Sequence, residues 1–534
     1  MKAKNIKISF SVIALMLGMT ACDKTLERNG TELSPLVPAK TDVEAATWKT
    51  YTTLNVADFI VAGITPIPAA ETSDKYKQEV EEVKAEVAKI NDARRTAINY
   101  WNGGGVLRWN QIMRELVAKN NLPPAENADL TKSVTYPYPL PSSADPDNLN
   151  GTGTAFPFSN PPYAARAYAY VSVAQYDALV MAMALKKQYN RKTPNAVDGT
   201  ITPIIVAAPK LSSYPSEDAV MAAVSYEFMK RLFPQTADTL FLYKKKEEQK
   251  WFKLWAGVST RSDIEAGEKL GKAVFTKVFA RFRTDGMANA VGTQAKWDSL
   301  TKRIEERGEI AWKSTENAPR PPMLPFYGNV ATWNMDRATL TSISTSVPPL
   351  ATKSTEFATQ LAEVKSYTSN PTRDNIAIVN YWADGAGTHT PPGHWNLIAE
   401  KYIADAKMSE VRTARNYALL NSAMMDAAIS CWYTKSYYYL PRPSQMDNSI
   451  KTLTGLPNFP SYTSGHSTFS AAASTVLSYI FPEGANSFKS QANEASKSRL
   501  LGGIHYKMDC DGGLKIGEAV GAKAVLRAQS DGVQ

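Results

Sequence analysis

Three short phrases near the C-terminal end of the chain concentrate side chains that bind and transform anions. They read Lys435-SYYYLP-Arg442-Pro443, then Pro460-SYT-Ser464-Gly465-His466-Ser467, then Ser498-Arg499-LLGGI-His505-YKM-Asp509. Lys435 offers a compact positive charge, while Arg442 and Arg499 offer planar forks that hold pairs of oxygens. Ser464 adds a hydroxyl. Gly465 lets the backbone approach a ligand closely, so its N–H can face an anion. His466 stands where an apolar helix begins, so a bound anion would lie at the positive end of a helix dipole. His505 and Asp509 are four residues apart and share one face if the segment is helical. The carboxylate then orients the imidazole, leaving its other nitrogen to act as a nucleophile or ligand. Three fixed cations, two imidazoles and a hydroxyl suit a tetrahedral oxyanion.

In order and spacing the phrases resemble the signature of the type 2 phosphatidic acid phosphatase / vanadium-dependent haloperoxidase superfamily: Lys-x6-Arg-Pro, Pro-Ser-Gly-His and Ser-Arg-x5-His-x3-Asp. The first and third match throughout. In the second, Thr463 stands where the motif has proline. The resemblance implies an all-α fold of paired helical bundles. It implies that Lys435, Arg442 and Arg499 neutralise an oxyanion, with Ser464 and Gly465 as further donors. His466 would be the acid–base residue. His505 would be the nucleophile toward phosphorus or the ligand to vanadium, oriented by Asp509. Two reactions are open: oxidation of halide by hydrogen peroxide with vanadate as cofactor, and hydrolysis of phosphomonoesters or lipid phosphates through a phosphohistidine, which needs no cofactor. A phosphate-binding scaffold without activity is a third reading, and the intact histidines argue against it.

The elements that must carry these residues read as helices. Apolar positions recur at helical spacing in Ser73 to Ala97, Tyr163 to Tyr189, Ser216 to Leu232, Asp263 to Phe282, Phe357 to Tyr367, Ile398 to Tyr433, Ser467 to Ile480 and Gly513 to Ala528. Alternating strand patterns are rare. Pro/Gly/Asn-rich stretches, including a long one from Leu122 to Pro162, separate the helices. The chain also repeats itself. Asn99-Tyr100-Trp101 recurs as Asn380-Tyr381-Trp382, and Trp109-Asn110-x-Ile112 as Trp395-Asn396-x-Ile398. Ala165-Arg166-x-Tyr168-Ala169 recurs 249 residues later as Ala414-Arg415-x-Tyr417-Ala418. Gly257, Asp263, Gly267 and Gly271 recur 246 residues later as Gly503, Asp509, Gly513 and Gly517. The order is kept, which predicts an internal duplication. The expected organisation is a signal peptide (1–22), a tether with an N-terminal helix (23–84), a degenerate helical bundle (85–300) and a catalytic one (301–534). Where the second copy has Gly465, His466 and His505, the first has Glu217, Asp218 and Ser259. Two carboxylates there repel an oxyanion, so one active site per chain is expected.

The remaining features set limits. The 534 residues carry 60 Lys plus Arg against 51 Asp plus Glu, a net +9 spread without a long basic run, which argues little for nucleic acid and is compatible with a small anionic substrate. Three cysteines exclude a disulfide scaffold. At the N-terminus, Lys2, Lys4 and Lys7 precede a short apolar run ending in Met19-Thr20-Ala21-Cys22, which resembles a bacterial lipobox. An exported lipoprotein is expected, lipidated at Cys22 and held to a bilayer by that lipid, in the periplasm or at the cell surface. His389 and His394 lie in a Gly/Pro-rich loop that can border the pocket. Trp432 and Phe459 can form an apolar wall beside the anion or belong to the core. Cys431 and Cys510 each adjoin a motif and could pair. Oligomeric state is not legible.

Overall fold

Alanine-rich stretches free of interior proline and glycine favour long helices, and here they give two of 29 residues each. The computed structural model describes residues 33–121, 161–205, 211–234, 236–316 and 321–533; the lipobox cysteine and nearly all of the 122–162 segment fall outside these. Among the described residues every regular element is a helix, and none is long and apolar enough to cross a membrane. Seven helices of the first half are α1 (Asp92–Trp101), α2 (Gly105–Asn120), α3 (Pro161–Tyr189), α4 (Pro194–Val197), α5 (Glu217–Leu232), α6 (Thr236–Trp255) and α7 (Arg261–Thr284). Seven follow in the same order in the second half: α8 (Arg373–Tyr381), α9 (Thr390–Asp405), α10 (Glu410–Tyr438), α11 (Pro443–Met446), α12 (Gly465–Ile480), α13 (Ala485–Leu501) and α14 (Lys507–Ala528).

The likeness extends to side chains. Arg166 on α3 clamps Asp285 through Nε at 2.7 Å and also reaches the Phe282 carbonyl; Arg415 on α10 clamps Asp531 at 2.7 Å and reaches the Ala528 carbonyl. Asp177 accepts hydrogen bonds from the amides of Tyr51 and Thr52, as Asp426 does from those of Trp333 and Asn334. The Tyr214–Pro215 and Tyr462–Thr463 peptides, 248 residues apart, are both cis, so Thr463 occupies the place that proline holds in the other copy.

The two halves meet along α3 and α10, which pack on each other and are buried over most of their length. A polar seam runs through this contact. Asn110 Nδ2 donates to Asn396 Oδ1 at 2.7 Å, and Asn421 Nδ2 donates to Ser172 Oγ at 2.9 Å. From Leu33 onward the chain is one compact unit, and a helix Gln294–Glu306 crosses the expected boundary at 300.

Glycines set how closely the last helices pack. A Cβ on Gly517 would come within 2.3 Å of the Thr468 carbonyl, and one on Gly271 within 2.5 Å of the Val220 carbonyl. So α14 lies almost backbone to backbone on α12, as α7 does on α5. This brings the start of α14, with Asp509 and with His505 in the bend just before it, beside the start of α12, with Ser464 to His466.

Two expected helices are each broken in two. The 73–97 stretch divides into Asp74–Ala88 and α1, because Asn91 turns its side chain onto the Arg94 amide and starts a new helix. The 398–433 stretch divides at 406–409. Lys407 adopts a left-handed conformation, and Ser409 caps α10 through the Arg412 amide while donating to Asp42 at 2.5 Å.

Candidate active site

Asp509 is the third residue of α14 and closes a capping box, its Oδ2 accepting from the Tyr506 amide at 3.1 Å. The same oxygen accepts from Ser461 Oγ at 2.5 Å and from His505 Nδ1 at 2.8 Å. The proton on Nδ1 is thereby fixed, and Nε2 carries the lone pair. Arg442 Nη1 donates to that Nε2 at 3.0 Å. His505 is nearly fully buried. Burial, then the positive fields of Arg442, Lys435 and Arg499, and then His466, hold its pKa well below the usual histidine range. At neutral pH the ring is uncharged and nucleophilic. Burial raises Asp509 to about 6 against the stabilising Ser461 hydrogen bond and the field of Lys435.

The three cations come from three elements. Arg442 caps the short α11; its Nε donates to the Phe459 carbonyl at 3.0 Å and its Nη1 also reaches the Ile504 carbonyl at 2.7 Å, while Nη2 is buried with no partner. Arg499 lies in the last turn of α13, with Nε on Ser498 Oγ at 2.9 Å and Nη2 on the Val379 carbonyl at 3.3 Å. Burial lowers both arginines to about 10, so both stay charged. Lys435 is different. Its three Nζ protons go to the carbonyls of Pro460, Ser461 and Thr463 at 2.8, 2.9 and 2.6 Å. Burial lowers its pKa, and the three carbonyls hold the ammonium. In this structure Lys435 organises the Pro460–Ser464 loop instead of pointing a free proton at the anion position.

Ser464 is the N-cap of α12, accepting from the Ser467 amide at 3.3 Å, which leaves its own proton available. Gly465 opens that helix. A Cβ placed there would make only ordinary contacts, with Phe469 at 3.8 Å and Trp432 at 3.9 Å. His466 follows, with Nε2 buried and making no hydrogen bond. Burial, then the charge of Arg499, lowers it to about 3.

One residue was not singled out from sequence. Asp384, in the loop between α8 and α9, holds a left-handed conformation. Its Oδ1 lies 3.0 Å from His394 Nδ1, and its Oδ2 lies 3.6 Å from His466 Nε2. Burial opposes ionisation of Asp384, but the His394 hydrogen bond and the neighbouring imidazoles outweigh it and hold the carboxyl below its usual range. The sequence does contain a cue, since Asp384 belongs to the same Gly/Pro-rich stretch as His389 and His394, although the structure places His389 at the cap of α9 and His394 within that helix rather than in a loop. His394 stacks on Trp382 with centroids 4.5 Å apart, and His389 lies 5.8 Å from His394. Burial lowers His389 to about 4. Three of the four histidines thus surround one carboxylate. Asp384 raises the proton affinity of His466. Asp384→Asn keeps the size and the tolerance for this backbone conformation. It should lower kcat about 10- to 100-fold and move the His466 limb of the pH–rate profile to lower pH, as measured by steady-state kinetics across pH.

Trp432 and Phe459 pack together with ring centroids 5.0 Å apart, and Lys435 Nζ lies 4.9 Å from the Phe459 centroid and 5.8 Å from that of Trp432. Both rings are buried members of the hydrophobic core beside the cations, Arg442 lying 5.0 Å from the Phe459 centroid, while Trp432 Nε1 donates to the Met323 carbonyl at 3.1 Å. Cys431 and Cys510 are free thiols, bonded separately to the Thr463 and Ser496 carbonyls.

The residue set fits an oxyanion. Lys435, Arg442 and Arg499 are each no more than 2% exposed, and burying cations is costly unless opposite charge or donor–acceptor pairing offsets it. The unpartnered Nη2 of Arg442 would be satisfied by an anion bonded to His505. No cluster of three or more His, Cys, Asp or Glu among the described residues is arranged to hold a metal cation.

Residues 416–530, which span all three motifs, match the family model of the PAP2 superfamily. No curated protein matches the chain. Among solved structures, a bacterial vanadium-dependent iodoperoxidase is 24% identical with a TM-score of 0.55, covering 69% of this chain and 91% of its own. A bacterial vanadium-dependent chloroperoxidase in its holo form is 12% identical with a TM-score of 0.49, covering 70% of this chain and 93% of its own. The first of these likenesses establishes the shared fold.

Proposed function

We propose, from the membership of residues 416–530 in the PAP2 superfamily, that the chain is a vanadium haloperoxidase-like enzyme that oxidises halide with hydrogen peroxide. The observation that carries this is the buried ring of His505, held by Asp509 at 2.8 Å and faced by Arg442 at 3.0 Å. Halide, peroxide and one proton give hypohalous acid and water. Vanadate, when bound, supplies the activation of peroxide toward the halide. The chain's own residues do the rest. Arg442 and Arg499 neutralise the oxyanion, and the Ser464 hydroxyl and Gly465 amide donate to it at the start of α12. Fixed donors in a water-poor site need no reorganisation as charge develops. Asp509 keeps the lone pair of His505 on Nε2. His466, with Asp384 beside it, moves the proton that the reaction consumes. The Trp432–Phe459 wall leaves an apolar flank suited to a weakly hydrated halide, and the fold shared with an iodoperoxidase supports the same reading.

The competing reaction uses the same residues: His505 attacks a phosphomonoester, and His466 protonates the leaving oxygen. One experiment separates them. The purified protein is assayed for p-nitrophenyl phosphate hydrolysis, then dialysed against orthovanadate and assayed for iodide and bromide oxidation with peroxide. Vanadate-dependent oxidation is the expected result; hydrolysis inhibited by vanadate, without oxidation, makes it a phosphatase. The proposal includes export and a lipid anchor on Cys22, so a Cys22→Ala chain should leave the membrane fraction on cell fractionation.

A further inference from the structure

The first half has its own cavity, and it lies at the counterpart of the site just described. It has a volume of about 120 Å³, whereas a single water needs only about 10–15 Å³ by the same measure. Its lining repeats the second-half residues at the offsets of the duplication. Thr193 stands for Arg442, Met183 for Trp432, Leu211 for Phe459, Lys253 for Arg499 and Ser259 for His505. The duplication has therefore kept the hollow while changing its chemistry.

The change is toward negative charge. Glu217 and Asp218 take the places of Gly465 and His466. Glu217 pairs with Lys186 at 2.7 Å and with Lys253, and Asp218 pairs with Lys253 at 2.7 Å. These two lysines are consumed by these two carboxylates. A third carboxylate, Glu410 from the start of α10, also lines the cavity and accepts from the amides of Gly105 and Val106, both at 2.9 Å. The surroundings carry one negative charge more than positive. Burial, then the field of Asp218, pushes Glu410 up to about 7, the response of a carboxylate without a cation partner. Independently, Ser259 lines the cavity, is 3% exposed and makes no side-chain hydrogen bond. A buried hydroxyl in that state is a donor and acceptor awaiting a ligand. Trp101, Phe252 and Val258 complete an apolar wall.

We infer that this cavity is a second ligand site, for a small organic cation such as a primary ammonium with a short apolar chain, its charge on Glu410, its N–H on Ser259 and its chain against Trp101 and Phe252. The site is separate from the C-terminal one and does not depend on the reaction proposed there.

The test is isothermal titration of the purified chain with n-butylammonium chloride, with sodium butyrate and inorganic phosphate as controls. Saturable binding of butylammonium alone is expected. Glu410→Gln, which keeps an acceptor for the α2 amides, should weaken it at least 10-fold, and Ser259→Leu, which fills the hollow, should abolish it. Absence of butylammonium binding overturns the inference. So does binding unaffected by either variant, or butyrate or phosphate binding that Ser259→Leu removes. His505→Ala should leave the butylammonium affinity unchanged; a loss there would place the cation in the C-terminal pocket and overturn it equally.

Discussion

His505→Ala should abolish turnover, lowering kcat by at least about 1,000-fold whichever reaction the enzyme runs. The ring's Nδ1 is tied to Asp509 in the first turn of α14, and its Nε2 faces a guanidinium. Loss of the ring removes the atom that must bond to the oxyanion, while the Phe459 and Ile504 carbonyls keep Arg442 in place. The stability cost should be modest. Asp509 Oδ2 keeps Ser461 and the Tyr506 amide as donors, so the loss is about 1–3 kcal/mol. Kinetics together with chemical denaturation check both halves of the statement. Retained activity with an intact fold would remove His505 from the chemistry.

Lys435→Met should do the reverse in proportion. It keeps the aliphatic stem against Phe459 but strips three carbonyls of their donor at once. All three belong to the 460–463 turn, which also carries Ser461 to Asp509 and leads into Ser464. Each buried carbonyl left unbonded costs about 1–3 kcal/mol, and partial relief from burying a charge offsets some of this, so a loss of the order of 3–5 kcal/mol is expected. Activity should fall because Ser464 and Gly465 lose their position. Denaturant midpoints would show it. A variant as stable as the parent but unable to bind phosphate or vanadate would instead make Lys435 a direct anion ligand.

Much of the site could be read from residue type and spacing. The pairing of His505 with Asp509 was expected from a shared helix face, but His505 sits in the bend before α14 and the helix cap brings the two together; Ser464, expected only as a hydroxyl donor, also caps α12. What spacing hides is which protons are already spent. Nothing in the Lys435 phrase reveals that a turn 25 residues away offers three carbonyls to it. Asp384 escaped notice because its partners, His394 and His466, come from different helices. The helix carrying Arg499 was also missed. The α13 sequence ANSFKSQANEASKSRLL has too thin an apolar stripe to announce a helix, and Phe488, Ala492 and Ala495 bury it only through tertiary packing. The repeat was legible in order and offset, yet Lys253 at the place of Arg499 became meaningful only when a hollow appeared around it.

The seam between α3 and α10 bears on protein engineering. Asn421 reaches Ser172 across it, and Asn110 reaches Asn396. A fragment beginning near 301 would therefore strand amides and bare an Ala- and Met-rich flank of its longest helix to water. The first half in effect shields the longest helix of the second from water. Minimal versions of this enzyme are better sought by trimming surface segments than by excising either half.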